Sequence, residues 1–160
     1  MKGISDVVEL TIPAKKEYVG IVRLATSGVA NRMGYSYDDI EDIKVAVSEA
    51  CTNAVNHAYK EGEEGQVHIK LLTYENRLEI MVIDHGQSFD AKKVIQEMKP
   101  LNASMTLEQL NEGGLGLYLI ETLMDQVTVN IEAGVVVFMT KFLSGDEVEH
   151  HENRAYLSHD

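Results

Sequence analysis

Glu49, Asn53 and His57 stand four residues apart in the stretch SEACTNAVNH, Ser48 to His57. On a helix, positions four apart drift by only about 40°, so the three share one stripe. A carboxylate, a neutral amide and an imidazole in a row can accept a proton, lend an oxygen to a cation and approach an anion. Beside them runs a second stripe, Ala46, Ala50, Ala54 and Ala58. Methyl groups flanking longer polar side chains leave a shallow trough. The other reading is a solvated helix face with alanines placed for helix propensity. Solvated faces favour Lys, Glu, Gln and Arg, however, whereas Thr52, Asn53 and Asn56 are poor helix formers.

Two further places could supply what this trough lacks. Asp84 ends the apolar run LEIMVID and stands two residues before Gly86. A carboxylate there can accept hydrogen bonds from an amino group, and the glycine permits close backbone approach. A plain Asp-x-Gly turn is the other reading. Gly113-Gly114-Leu115-Gly116-Leu117 precedes the apolar stretch YLIETLMD. Free backbone N–H groups and the positive end of a helix dipole suit a phosphate. The stretch is neither a Walker loop, lacking Lys-Ser/Thr, nor a dinucleotide fingerprint, since no glycine stands at 119 and no strand precedes it.

The elements that must position these residues follow from periodicity. VVELTI reads as a strand closed by Pro13, and Ala14 to Met33 as a helix with Tyr18, Ile21, Val22, Ala25, Val29 and Met33 as its spine. Gly34 is its expected C-terminal cap. Asp38 and Asp39 open a second helix, where the dipole favours acids, and it runs to about Lys60. Residues 66–73 and 77–83 read as a hairpin, residues 87–112 show no clear strand, and two strands, 127–131 and 135–142, follow the glycine-rich helix. A long stretch without strong structure in a compact domain is usually a functional lid or a disordered loop. The order β-α-α-β-β-lid-α-β-β predicts an α+β two-layer sandwich, with helices on one face of a mixed, mostly antiparallel sheet.

A chain of 160 residues with 44% hydrophobic and 25% charged residues fits one soluble domain. Residues 1–143 are assigned to it, and 144–160 to an acidic tail. The net charge of −12 repels phosphate backbones, so no direct nucleic-acid partner is expected. No apolar run approaches the ~20 residues of a membrane span. The opening MKGISDVVEL lacks the basic and apolar regions of a signal peptide. The single cysteine, Cys51, permits no internal disulfide and is expected to be packed. These features predict a cytoplasmic protein. His57, near a helix end, reads as structural or as a phosphate neighbour. His150-His151 has no partner at coordinating spacing. Arg23 on the first helix is either solvated surface or a partner contact.

Glu-x3-Asn-x3-His, then Asp-x-Gly at a strand end, then a lid, then Gly-Gly-x-Gly before a helix resembles the gyrase, chaperone and histidine-kinase (GHKL) ATP-binding superfamily, over about residues 6–143. The resemblance implies Asn53 as the magnesium ligand and Glu49 as the catalytic base. It implies Asp84 as the adenine-binding carboxylate, and Gly113, Gly114 and Gly116 as lid-hinge glycines that meet the phosphates. His57, Gly86, Ser88, Leu115 and Leu117 complete the expected nucleotide site. The lid, about residues 88–112, is expected to close over bound ATP.

Two stretches, EYVGIVRLATSGVANRMGYSYDDIEDIKVAVSEACTNAVNHAYK and EGGLGLYLIETLMDQV, narrow the resemblance to the bacterial anti-sigma-factor serine kinases. That resemblance implies a homodimeric switch protein using Mg2+ and ATP. It would hold a sigma-B-type sigma factor away from RNA polymerase and phosphorylate a serine on an anti-anti-sigma antagonist. A non-catalytic module that sequesters its partner with ATP as a structural ligand is the alternative. Two departures stand out. Ser88 occupies a position that is often glycine, and Gly134 is followed by Val135, Val136 and Val137 where relatives often place a threonine that supports the adenine site. Thr140 lies farther along that strand.

Overall fold

The computed structural model describes residues 3–60, 65–84, 99–100, 114–130 and 135–143. Strand β1 (Asp6–Pro13) leads through a single 3-10 turn (Lys16–Tyr18) into α1 (Val19–Met33) and α2 (Tyr37–Lys60). Then come β2 (Gln66–Thr73), β3 (Arg77–Asp84), β4 (Lys99–Pro100), α3 (Gly114–Leu123), β5 (Gln126–Asn130) and β6 (Val135–Phe142). The strands form one sheet in the order β1-β2-β3-β6-β5-β4. Every pairing among the described residues is antiparallel. The expected α+β two-layer sandwich is borne out.

The strand pattern explains which face the helices cover. Along β2, Val67, Ile69, Leu71 and Thr73 are buried, while His68, Lys70 and Leu72 alternate with them half-exposed. In β3, at the sheet's centre, burial is continuous from Ile80 to Asp84, as a strand covered on both faces requires. Its residues still divide by period two. Leu78, Ile80 and Val82 join the main core with α1, α2 and α3. Met81 and Ile83 form a separate cluster with Val136 on the opposite face.

Local signals set the helix ends. Gly34 adopts φ 96°, and its N–H donates to the carbonyls of Ala30 and Asn31. Only glycine enters that region without a Cβ penalty. Ser36 Oγ accepts the N–H of Asp39 at 3.2 Å, so a serine cap joins the acids foreseen at the start of α2. Tyr35, between these helices, fastens them to the sheet: its buried hydroxyl accepts the N–H of Leu78 at 2.9 Å and donates to the carbonyl of Lys141. Tyr35→Phe strands buried backbone groups and should cost about 1–3 kcal/mol. Urea titration should show a lower midpoint with an unchanged slope; an unchanged midpoint would contradict the assignment.

Three expectations need correction. α1 begins at Val19, after the 3-10 turn, rather than at Ala14. Its buried residues are Val19, Val22, Thr26 and Ala30, whereas Tyr18 and Ile21 of the expected spine are 37% and 50% exposed. The apolar residues of α1 span too wide an arc for periodicity to select the inward face. Thr26 is tolerated inside because its hydroxyl donates to Val22 O at 2.7 Å. Finally, the stretch read as strandless contains β4, whose two residues pair with Thr128 and Val129. Two residues carry no periodic signal, and a proline is acceptable at a sheet edge. The sequence also suits a short helix over 91–98 and a turn at Ala133-Gly134 between the last two strands, and both lie outside the described residues.

Candidate functional site

α2 carries the polar stripe, but not over an open trough. Ala46, Ala50 and Ala54 are fully buried in the core. Their small side chains let α2 lie close to its neighbours, so the alanine stripe is a packing seam and not the floor of a cleft. Cys51 is buried beside them, as expected; burial pushes its thiol up to about 12, which keeps it protonated and inert at neutral pH. Glu49 and Asn53 sit half-buried at the edge of this seam, where α3 meets α2.

The contact that organises the site is made by a missing side chain. A Cβ placed on Gly116 would lie 2.9 Å from Glu49 Oε2, 3.3 Å from Asn53 Nδ2 and 3.6 Å from Asn53 Oδ1. The first turn of α3 therefore faces the carboxylate and the amide directly. Its leading N–H groups, at residues 114 to 117, have no partner within their own helix. Leu117 is 8% exposed and belongs to the core, so its side chain anchors α3 and only its backbone can serve a phosphate.

Asn53 carries the clearest sign of a ligand. Its Nδ2 is buried and has no hydrogen-bond partner. Leaving a buried amide end unsatisfied costs about 1–3 kcal/mol. Rotating the amide exchanges nitrogen for oxygen, so the same position can present an acceptor to a cation. Among the described residues no three His, Cys, Asp or Glu side chains converge. A magnesium ion would take one oxygen from Asn53 and the rest from phosphate and water, which suits a hard cation that keeps its waters.

Asp84 lies at the end of β3, opposite Val67 of β2 and Val135 of β6, and is 4% exposed. By alternation with Leu78, Ile80 and Val82 it shares the helix-covered face. Thr140 pairs with Glu79, on the opposite face, so it cannot supply the hydroxyl that Val135–Val137 lack. Arg23 Nε donates to Ser48 Oγ at 2.8 Å, which brings a cation from α1 next to the helical turn of Glu49. Of the remaining expected site residues, Gly86, Ser88, Gly113, the lid apart from residues 99–100, and the side chains of His57 and Leu115 lie outside the described residues. The sequence did not reveal the facing of Gly116 and Glu49, because 66 intervening residues separate them and no local pattern encodes the mutual approach of their helices.

Gly116→Ala tests this geometry. The new methyl meets the mobile end of a glutamate, so the fold can yield, and alanine is the better helix former by about 1 kcal/mol. Stability should hold or rise. Displacing the carboxylate by an ångström should nevertheless lower the rate of a reaction that it serves by about 10²-fold. Gly28→Ala, where a Cβ meets nothing within 4 Å, should leave the rate unchanged. Equal rates in both variants would overturn the assignment.

The chain is similar to known proteins over most of its length. The family described as histidine kinase-like ATPase domain matches residues 12–141. The serine-protein kinase RsbW of Bacillus subtilis is 57% identical over 150 residues, 94% of each chain. RsbW of Bacillus pumilus is 58% identical over 152 residues, again 94% of each chain. RsbW of Oceanobacillus iheyensis is 54% identical over 144 residues, covering 90% of this chain and 91% of the relative. A crystal structure of the RsbU and RsbW domains of a Mycobacterium tuberculosis protein superposes with a TM-score of 0.61 at 22% identity. It covers 87% of this chain and 33% of that one, a likeness of fold.

Proposed function

The chain belongs to the histidine kinase-like ATPase domain family and is a serine-protein kinase of the RsbW kind, and from that premise we propose how its residues divide the work. ATP lodges beside α2 and α3, with its adenine amino group toward Asp84 and its phosphates toward the first turn of α3. Asn53 would hold magnesium through its amide oxygen, and the ion would supply neutralisation of charge on the phosphate oxygens. Glu49, one helical turn earlier, orients the serine hydroxyl of the incoming protein and takes its proton as the γ-phosphoryl group is transferred. The convergence of Glu49, Gly116 and the unsatisfied amide of Asn53 carries this reading.

The protein substrate is an anti-anti-sigma antagonist, and the rival partner is a sigma-B-type sigma factor kept from RNA polymerase until the antagonist is unmodified. The kinase works in the cytoplasm; among the described residues no helix is long and apolar enough to cross a membrane. Incubation with labelled ATP, magnesium and a candidate antagonist, followed by mapping of the label, tests the reaction. Label on one antagonist serine is expected. Bound nucleotide without transfer would instead mark a sequestering module.

The active form is a homodimer. Ile21 and Leu24 of α1, with Tyr18 just before it, expose apolar side chains at three-residue spacing, surface that single chains seldom leave uncovered as a patch. Ile21→Asp with Leu24→Asp should convert the dimer to a monomer in sedimentation velocity. A persistent dimer would place the interface elsewhere.

A further inference from the structure

Lys141 is a lysine where lysines are rarely found. It lies on β6 and is 5% exposed, and its Nζ donates to the carbonyl of Leu123 at 2.8 Å. Leu123 is the last residue of α3, whose terminal carbonyls need partners from outside the helix. α3 has no basic residue in its own last turn, so the cation that favours a helix C-terminus comes from the sheet. The same Nζ lies 3.8 Å from Asp39 Oδ1 and 3.9 Å from Asp42 Oδ2. Both acids belong to the first turns of α2.

One buried charge thus joins the end of α3 to the start of α2. These are the two helices whose facing surfaces hold Gly116, Glu49 and Asn53. Asp125, just past α3, adds a second fastening to β6: its carboxylate accepts the N–H of Phe142 at 2.7 Å, and its N–H donates to Thr140 O at 2.9 Å. Lys141 joins that sheet to α2 as well.

We propose that Lys141 is a positioning residue for phosphoryl transfer, tying the C-terminus of α3 to the N-terminus of α2 and so setting the separation at which Gly116 faces Glu49 and Asn53. This rests on the roles assigned to those three residues above. A lysine suits the task because its single ammonium can donate to the carbonyl while its charge stays within ion-pair range of both carboxylates. Removing it leaves two acids and a helix terminus facing one another without a cation.

Lys141→Met keeps length and apolar stem but deletes charge and donors; Lys141→Arg keeps both. In Lys141→Met, amide hydrogen exchange across 114–123 should accelerate by about tenfold, with β2 and β3 unchanged, because only one segment loses its anchor. The kcat for serine phosphorylation should fall about tenfold with KM for ATP changing less, since alignment and not ground-state binding is lost. Lys141→Arg should recover most of both. If Lys141→Met fails to fold, Asp39→Asn with Asp42→Asn removes the α2 end of the tie and should reproduce both effects.

A folded Lys141→Met protein with parental exchange over α3 would overturn the proposal, as would a lowered melting temperature with parental kcat. Should the parent protein transfer no phosphate, the functional assignment fails by itself. The exchange measurement still decides whether the tie exists.

Discussion

Glu49→Gln should lower serine phosphorylation by about 10²–10⁴-fold, the range a positioned general base supplies, while ATP affinity stays close to that of the parent. Glutamine is nearly isosteric, so the contact across from Gly116 survives and the helix seam is undisturbed. What disappears is the capacity to take a proton. In a loose transition state the serine proton leaves late, and a side chain can help by orienting the hydroxyl or by removing its proton. Comparing Glu49→Gln with Glu49→Ala separates the two. Equal losses identify proton removal as the essential step, and a milder loss in the glutamine variant identifies orientation. Parental rates in either variant would remove Glu49 from the mechanism.

Asn53→Ala should abolish the magnesium-dependent part of nucleotide affinity. The parent should bind ATP more tightly with magnesium than with a chelator, and the variant should bind equally in both. The same substitution should stabilise the free protein. It deletes a buried amide end that has no partner, relieving about 1–3 kcal/mol, and it places a better helix former within α2. A residue kept for packing would give the opposite sign. Higher melting temperature with lost metal dependence is therefore the signature of a group held unsatisfied for a ligand. Destabilisation with intact metal dependence would contradict it.

Much of the scaffold was legible from periodicity and turn chemistry. The β2–β3 hairpin declared itself through alternation, and Gly34 and the acids at 38 and 39 bounded the helices from both sides. What failed was facing. The apolar arc of α1 did not say that Thr26 turns inward and Ile21 outward, because a locally satisfied threonine passes for a polar surface residue. The alanine stripe of α2 was visible, but small residues line clefts and close-packed seams alike, and here they pack.

The site was legible in its parts and not in its assembly. Glu49, Asn53 and Asp84 could each be singled out by residue type and position. That Gly116 comes against the first two depends on how α3 docks, which rests on Lys141, Asp125 and the core side chains of Leu117 and Ile120. Those are tertiary contacts with no local signature. The resemblance in motif order supplied the connection that local physics could not.

The most direct measurement is calorimetric titration of the folded parent protein with ATP and with ADP, each with and without magnesium. Saturable heat at one nucleotide per chain, strengthened by magnesium, is the expected result. A protein shown by circular dichroism to be folded, yet giving no heat with either nucleotide, would contradict a nucleotide site beside α2 and α3.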